Sequence, residues 1–368
     1  MKKGYRLFTG ALFALLVFFF NQNPVNAQQI DDIGIIIQSG ADDANILAQE
    51  YLNPFGKGFG AGLNSGWFHN AKPHKKFGFD ITVNASLALV PSSYENFSAA
   101  AVNSRLSRLQ WDQASPDQTP TINGSKNVTT SRFTITEQGQ NLGGFEMPTG
   151  TGFQFVPSPM IQASVGLIAN TDVTLRFLPE YTNDEFGRIK LFGVGLKHGI
   201  NQWLPGGKLL PVDLSVQAGF TTLEVDGNLS LTPQDFQQQP DSNPFPASEW
   251  EGQKVTTSTN AFTANALVGK KLPFISFFAG VGFQSATMEV ETVGNYPIPV
   301  PDESTADPTD TTVESLAGED ILNFEIESAN SVHALAGLTL KLAFFQISGS
   351  FTVSEFPVAQ ASVGFSFR

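Results

Sequence analysis

The chain has 368 residues, 41% of them hydrophobic and 15% charged, with 21 basic residues, 34 acidic residues and no cysteine. Its formal charge of −13 argues against a nucleic-acid partner. Without cysteine it has neither a disulfide framework nor thiolate metal ligands.

Lys2, Lys3 and Arg6 precede an apolar run from Leu7 to Phe20, and Val25-Asn26-Ala27 places modest side chains where a signal peptidase cuts. That order predicts a signal peptide over residues 1–27, cleaved before Gln28. The run is 14 residues long, short of the roughly 20 that a membrane helix needs. Cleavage leaves 18 basic residues against 34 acidic ones, a charge of −16.

Residues 28–75 form the first mature segment. Asp42 to Leu52 predicts a short helix, with Asp42 or Asp43 as its cap, Ile46, Leu47 and Tyr51 on one face, and Pro54 ending it. The stretch 53–71 follows, with glycines at 56, 58, 60, 62 and 66. A phosphate-cradling loop would follow a strand rather than a helix. Such closely spaced glycines suit backbone that passes near other backbone, as in a segment inside a barrel or at the start of its first strand. Asn53, Pro54, Phe55, Gly58, Gly60, Gly62 and Trp67 are the candidate plug or gate residues.

From residue 76 to the end the pattern has period two. Phe77, Phe79, Ile81, Val83, Ala85, Leu87 and Leu89 interleave with Gly78, Asp80, Thr82, Asn84 and Ser86, giving one face suited to lipid and one to water. Alternation resumes over 154–169, 173–177, 192–196, 212–220, 256–270, 275–283, 332–342, 345–353 and 359–367. Long polar stretches, 91–151, 226–253 and the acidic 299–320, fall on alternate connections, and the turns near 170, 201–211, 271–273 and 343–344 fall on the others. Long loops at one end and short turns at the other predict an all-β fold, a transmembrane antiparallel up-and-down β-barrel. Ten strands are supported directly, and extra hairpins such as Arg132 to Thr136 would raise the count to 12–14. A soluble sandwich also alternates, but it requires neither spanning lengths nor sorted loops.

Trp203 sits in a turn where an aromatic girdle would meet headgroups. The polar face of the strands supplies lumen-lining candidates: Asp80, Thr82, Asn84, Gln162, Arg176, Asp213, Gln217, Gln346 and Gln360. Arg176 is expected either to pair with Asp80 or Asp213 across the lumen or to select a solute. No cofactor is implied. His69, His74, His198 and His333 lack the paired spacing of a zinc site, so His69 and His74 read as a solvated loop. The acidic stretch 299–320 lacks EF-hand spacing and reads as a solvated external loop rather than a calcium site. No Gly-x-Ser-x-Gly elbow is present, and no enzyme activity is expected.

The stretches PSPMIQASVGL (157–167), GVGLKHGINQWLP (193–205), KLPFISFFAGVGFQSAT (271–287) and the closing LKLAFFQISGSFTVSEFPVAQASVGFSFR resemble an uncharacterised family of Bacteroidetes outer-membrane proteins. The resemblance implies an outer-membrane location. Segment 53–68 is similar to the N-terminal part of FadL-type fatty-acid channels, which implies a plug within the lumen. The aromatic C-terminal strand resembles the signal that barrel-insertion machinery recognises. Together these give an expected channel or transporter for a small, hydrophobic or amphipathic solute, in contact with outer-membrane lipid. The alternative is a non-conducting envelope barrel whose external loops bind a partner, and a hydrolase assembled from several strands ranks third.

Overall fold

The structure, a computed structural model, describes residues 33–183, 187–236, 238–305, 307 and 310–367. The expected signal peptide and its cleavage point lie outside these residues. Ten antiparallel strands close into a barrel. We number them β1 (Phe79–Leu89), β2 (Phe155–Gly166), β3 (Thr171–Asn183), β4 (Gly187–Gly199), β5 (Asp213–Asn228), β6 (Lys254–Lys271), β7 (Ile275–Val293), β8 (Asn323–Leu342), β9 (Phe345–Val353) and β10 (Val358–Phe367). Each strand pairs with its neighbours in sequence, and β1 closes on β10 from Phe79↔Phe367 to Ala88↔Val358. Closure leaves no free sheet edge, the condition for a sheet to cross lipid.

The strand faces are inverted relative to a soluble protein. Asp80, Thr82, Asn84 and Arg176 point inward and are buried, whereas Ile81, Phe177, Leu196, Phe220, Val281 and Val332 point outward and are exposed. An exposed apolar belt around a polar interior is stable only against lipid. No helix among the described residues is long and apolar enough to cross a membrane, so any crossing is made by strands. Replacing Phe220, which lies at mid-height beside Val194 and Phe262, by Arg is expected to cost about 2–4 kcal/mol. Urea unfolding in lipid should show this loss, and the same substitution at the buried neighbour Thr221 should disturb the plug rather than insertion.

One end of the barrel carries the connections 167–170, 200–212, 272–274 and 343–344, together with the start of β1 and the end of β10. Aromatics collect there: Phe79 stacks on Phe367 at 5.0 Å, Phe344 stacks on Phe365 and Phe367, and Trp203 is exposed. The opposite end carries the long connections 90–154, 229–253 and 294–322. These fold into a cap. Arg132–Glu137 pairs with Gln140–Glu146 and Leu109–Trp111, so this hairpin lies outside the barrel and the strand count is ten, not twelve to fourteen. The acidic stretch is likewise ordered rather than an open loop: Asn295–Pro301 pairs with Thr311–Ala317, and Gly318–Asp320 forms a 3-10 turn. Among the described residues no group of three or more His, Cys, Asp or Glu is placed to hold a metal.

Helix α1 (Ala41–Asn64) departs most from the sequence expectation. It has 24 residues, runs through Pro54 and takes in the whole glycine series from 56 to 62. At 1.5 Å per residue it is about 36 Å long, enough to reach from the cap to the middle of the lumen. Pro54 removes one backbone donor, and each glycine costs about 1 kcal/mol of helix propensity relative to alanine. Packing inside the barrel outweighs both. The cap assignment also changes, because the residue before the helix is Gly40 and no side chain caps it.

Candidate functional site in the plugged lumen

Asp43 faces the first long loop instead of its own helix. Its carboxylate accepts from the backbone N–H groups of Ser107, Arg108 and Leu109 at 2.7, 2.8 and 2.8 Å, and from the Ser107 hydroxyl at 3.0 Å. Asn45 donates to the Ile321 carbonyl of the third long loop and accepts from the Asn323 N–H. Tyr51 donates to the Thr149 carbonyl. The helix therefore organises the cap by polar contacts as well as by packing. Asp43→Ala should leave three N–H groups without their acceptor, the buried one of Leu109 among them, and cost the cap about 2–4 kcal/mol, read as faster amide exchange over residues 105–111 with the barrel strands unchanged.

Below the cap the helix and the wall touch backbone to side chain. A methyl group at Gly56 would lie 2.9 Å from Ile326 Cγ2, at Gly58 2.8 Å from Val156 Cγ2, at Gly60 2.6 Å from Ala286 Cβ, and at Gly62 2.3 Å from Ser158 Oγ. Gly56 and Gly60 lie one helical turn apart, as do Gly58 and Gly62, so two faces of the helix are pared down at once. The surroundings are apolar: Ala61 packs with Ala88, Val156 and Phe356, and Leu63 with Met160, Leu191 and Leu223. Phe55 stacks on Phe59 at 5.6 Å.

Where α1 ends, Arg176 holds it. The guanidinium is fully buried and donates to the Leu63 carbonyl at 2.6 Å, the Ser65 carbonyl at 2.5 Å and Gln162 Oε1 at 3.2 Å. Its remaining face lies 3.6 Å from the centre of the Trp67 ring. The last carbonyls of a helix have no internal donors and carry the negative end of its dipole, and a forked cation satisfies both conditions. Arg176 makes no ion pair among the described residues, so the expected bridge to Asp80 or Asp213 does not form. Trp67 fits because Gly195 and Gly219, paired in register on β4 and β5, leave room for the indole. Those inward glycines were the sequence signal for this contact.

From Ser65 the chain continues in non-helical form to the short-turn end. His69 is buried, 3.2 Å from Thr82 Oγ1, 3.3 Å from Gln162 Nε2 and 3.3 Å from Ser362 Oγ, and its carbonyl accepts from Thr339. His74 lies between two carboxylates, Asp80 at 3.2 Å and Asp172 at 3.1 Å. Lys197 reaches Asp172 at 3.1 Å and donates to the Asn70 carbonyl. Lys72 pairs with Asp213 at 3.3 Å. The expectation of a solvated loop at His69 and His74 is thus corrected, since the barrel wall surrounds both. A serine and a histidine do meet in the lumen, but the second nitrogen of His69 faces Thr82 and Gln162 rather than a carboxylate, unlike a catalytic triad.

All nine lumen candidates point inward, but toward the resident segment more than toward open space. Gln360 lies between Ser350 and Asn84, Gln217 accepts from Asn265, and Gln162 bonds to Arg176. Of the plug candidates, Phe55, Gly58, Gly60, Gly62 and Trp67 contact the wall or pack against it, while Asn53 and Pro54 lie within the helix. Several buried polar atoms of the lower lumen have no protein partner, including Asn64 Oδ1, Asn70 Oδ1, Asn84 Nδ2, Gln217 Nε2 and His333 Nδ1. A cavity of about 20 Å³ beside Asn64, Asn265 and His333 has room for about one water.

This glycine-pared helix in a ten-stranded wall is encoded by a sequence that one family covers almost completely. The chain belongs to DUF6588, a family of unknown function whose sequence model matches residues 1–367. No curated protein matches this DUF6588 chain. Among solved structures it is similar to Ail, the attachment invasion locus protein of Yersinia pestis, at 10% identity and a TM-score of 0.25, over 80% of this chain and 99% of that one. It is also similar to the translocator domain of the autotransporter NalP from Neisseria meningitidis, at 9% and 0.27, over 80% and 90%. A Pseudomonas aeruginosa FadL homologue aligns at 11% and 0.18, over 85% and 96%. The fold of this DUF6588 chain rests on its own strand pairing, since alignments of that quality carry no inference about mechanism.

Proposed function

We propose that the chain is an outer-membrane barrel, sealed at rest by its own N-terminal segment, that presents a folded acidic cap at its external end. The carrying observation is continuity. Leu47 and Tyr51 of α1 share one hydrophobic cluster with Phe133 and Phe145 of the first long loop, Trp250 of the second, and Tyr296 and Ile321 of the third. Helix and cap are one packed body, so the lumen helix serves as the stem on which the cap stands. The cap is then the surface that meets an external partner, the apolar belt meets outer-membrane lipid, and β10 is the strand read by the insertion machinery.

A specific observation favours a second reading, a gated conduit for a small amphipathic solute. The lower lumen is polar, with donors and acceptors that lack protein partners, as in a path that holds water. A cysteine-free chain makes the two readings separable. Positions 58 and 156 would have Cβ atoms 3.1 Å apart, and a disulfide prefers about 3.5–4.5 Å, so Gly58→Cys with Val156→Cys locks the helix to the wall after a small shift. Planar-bilayer recordings of the wild type and of the locked and reduced variant should all be closed if the barrel is a sealed stem. Conductance in the wild type or the reduced form that oxidation abolishes would overturn that reading and establish the conduit.

A further inference from the structure

The short-turn mouth has an unequal distribution of charge. Among the described residues the only carboxylates at this end are Asp80, Asp172 and Asp213, and each already has a cation: His74 for Asp80, His74 and Lys197 for Asp172, and Lys72 for Asp213. Lys271 and Lys341 are left without an ion pair. Both face inward. Lys271 continues the face of Gly269, whose added methyl would touch Ala71 of the plug, and Lys341 donates to the buried Ser366. The charged neighbours of Lys271 are Lys341, Lys72, Lys197 and Asp213, and that of Lys341 is Asp80, which His74 already engages, so the balance of charge at this mouth is cationic.

Register brings a third donor to the same place. Lys271 pairs with Ser276, Ser276 with Thr339, and Lys341 with Gln346. Lys271 is level with Thr339, so Lys341 stands two strand spacings across and two residues along, about 12 Å away, a gap that two extended lysine side chains can close around one group. Gln346 is 3% exposed and its Nε2 has no acceptor. A buried amide donor without a partner is costly, and with the Lys341 ammonium beside it in register and Lys271 on the same rim, the missing partner is an acceptor with negative charge.

The geometry points to an oxyanion site at the short-turn mouth, in which Lys271, Lys341 and Gln346 bind one carboxylate or phosphate group. The ligand class follows from a donor-only set with no unengaged acid among the described residues, and charge-assisted bonds to such a group are the strong ones. The site stands whether or not the barrel conducts, because it lies beside the plug tail and not across the lumen. A lipid headgroup of the adjoining leaflet and a free small anion share this chemistry.

The test uses the full chain and follows the Gln346 side-chain amide by NMR. Inorganic phosphate is titrated into protein in an uncharged detergent, and in a second arm phosphatidylglycerol is titrated into phosphatidylcholine nanodiscs. A saturable shift with phosphate identifies a free anion, and one with phosphatidylglycerol alone identifies a headgroup. In either case Lys271→Gln and Lys341→Gln should each weaken binding about tenfold. Lys271→Arg with Lys341→Arg should retain it, which separates loss of charge from loss of fold. Lys270→Gln, on the lipid-facing side of β6, should leave it unchanged. No saturable shift with either probe, or equal weakening by Lys270→Gln, would overturn the assignment.

Discussion

Arg176→Met is expected to release the lower half of the plug while leaving the barrel closed and inserted. The variant keeps the length and bulk of the side chain but leaves the Leu63 and Ser65 carbonyls without their donor. Hydrogen bonds to a charged group are worth about 1.5–3 kcal/mol each, and a desolvated cation over an aromatic ring adds about 2. Against this stands the cost of burying a guanidinium with no counter-ion, several kcal/mol, which the variant no longer bears. The carbonyls decide the sign. The arginine is hydrated when the plug is out and bonded when it is in, whereas methionine satisfies nothing in either state. We expect a net loss of about 2–4 kcal/mol, read as faster exchange of the amides from 56 to 67 with protection of β1 to β10 retained. Arg176→Lys keeps the charge but not the fork or the stacking, and should fall between the two. Unchanged exchange in Arg176→Met would show that the glycine packing and the contacts of residues 69–74 hold the plug without Arg176.

The barrel was legible in the sequence because lipid imposes a rule on every second residue. Phe79, Ile81 and Val83 against Asp80, Thr82 and Asn84 gave the faces, and the alternation of loop lengths gave the topology. The plug was half legible. Glycines at 56, 58, 60 and 62 implied backbone passing close to other backbone, inside a barrel or at the start of its first strand; they lie in a lumen helix, an assignment that they and Pro54 argue against. Propensity is a local quantity, and here a surrounding wall that accepts only a slim helix overrules it. Asp43 looked like an N-cap because an acid before an apolar periodic run has that meaning in isolation; its partners, the amides of 107–109, are more than 60 residues away. Arg176 stood out as an arginine on an inward face, but its nearest partners are the backbone carbonyls of Leu63 and Ser65, which no residue type reveals.

The same glycines allow a test in which the sign of the effect is the result. In an exposed helix, Gly→Ala stabilises by about 1 kcal/mol. At Gly60 the added methyl meets Ala286 Cβ at 2.6 Å and Ser328 at 3.0 Å, and at Gly62 it meets Ser158 Oγ at 2.3 Å. These atoms belong to short side chains fixed on strands, so relief requires the helix to move as a whole. Overpacking of this kind costs about 1–3 kcal/mol per site, and with both faces of the helix engaged Gly60→Ala with Gly62→Ala should cost about 2–5 kcal/mol after the propensity gain. Thermal unfolding of the cap and amide exchange over 41–64 would record it. Ala286→Gly removes the opposing methyl, and combined with Gly60→Ala it moves the carbon across the contact instead of adding one. The pair should recover about 1–2 kcal/mol relative to the sum of the single changes. If the glycines instead serve to keep the helix pliable, Ala286→Gly restores nothing, and a stabilised Gly60→Ala would place α1 outside the tight lumen described above.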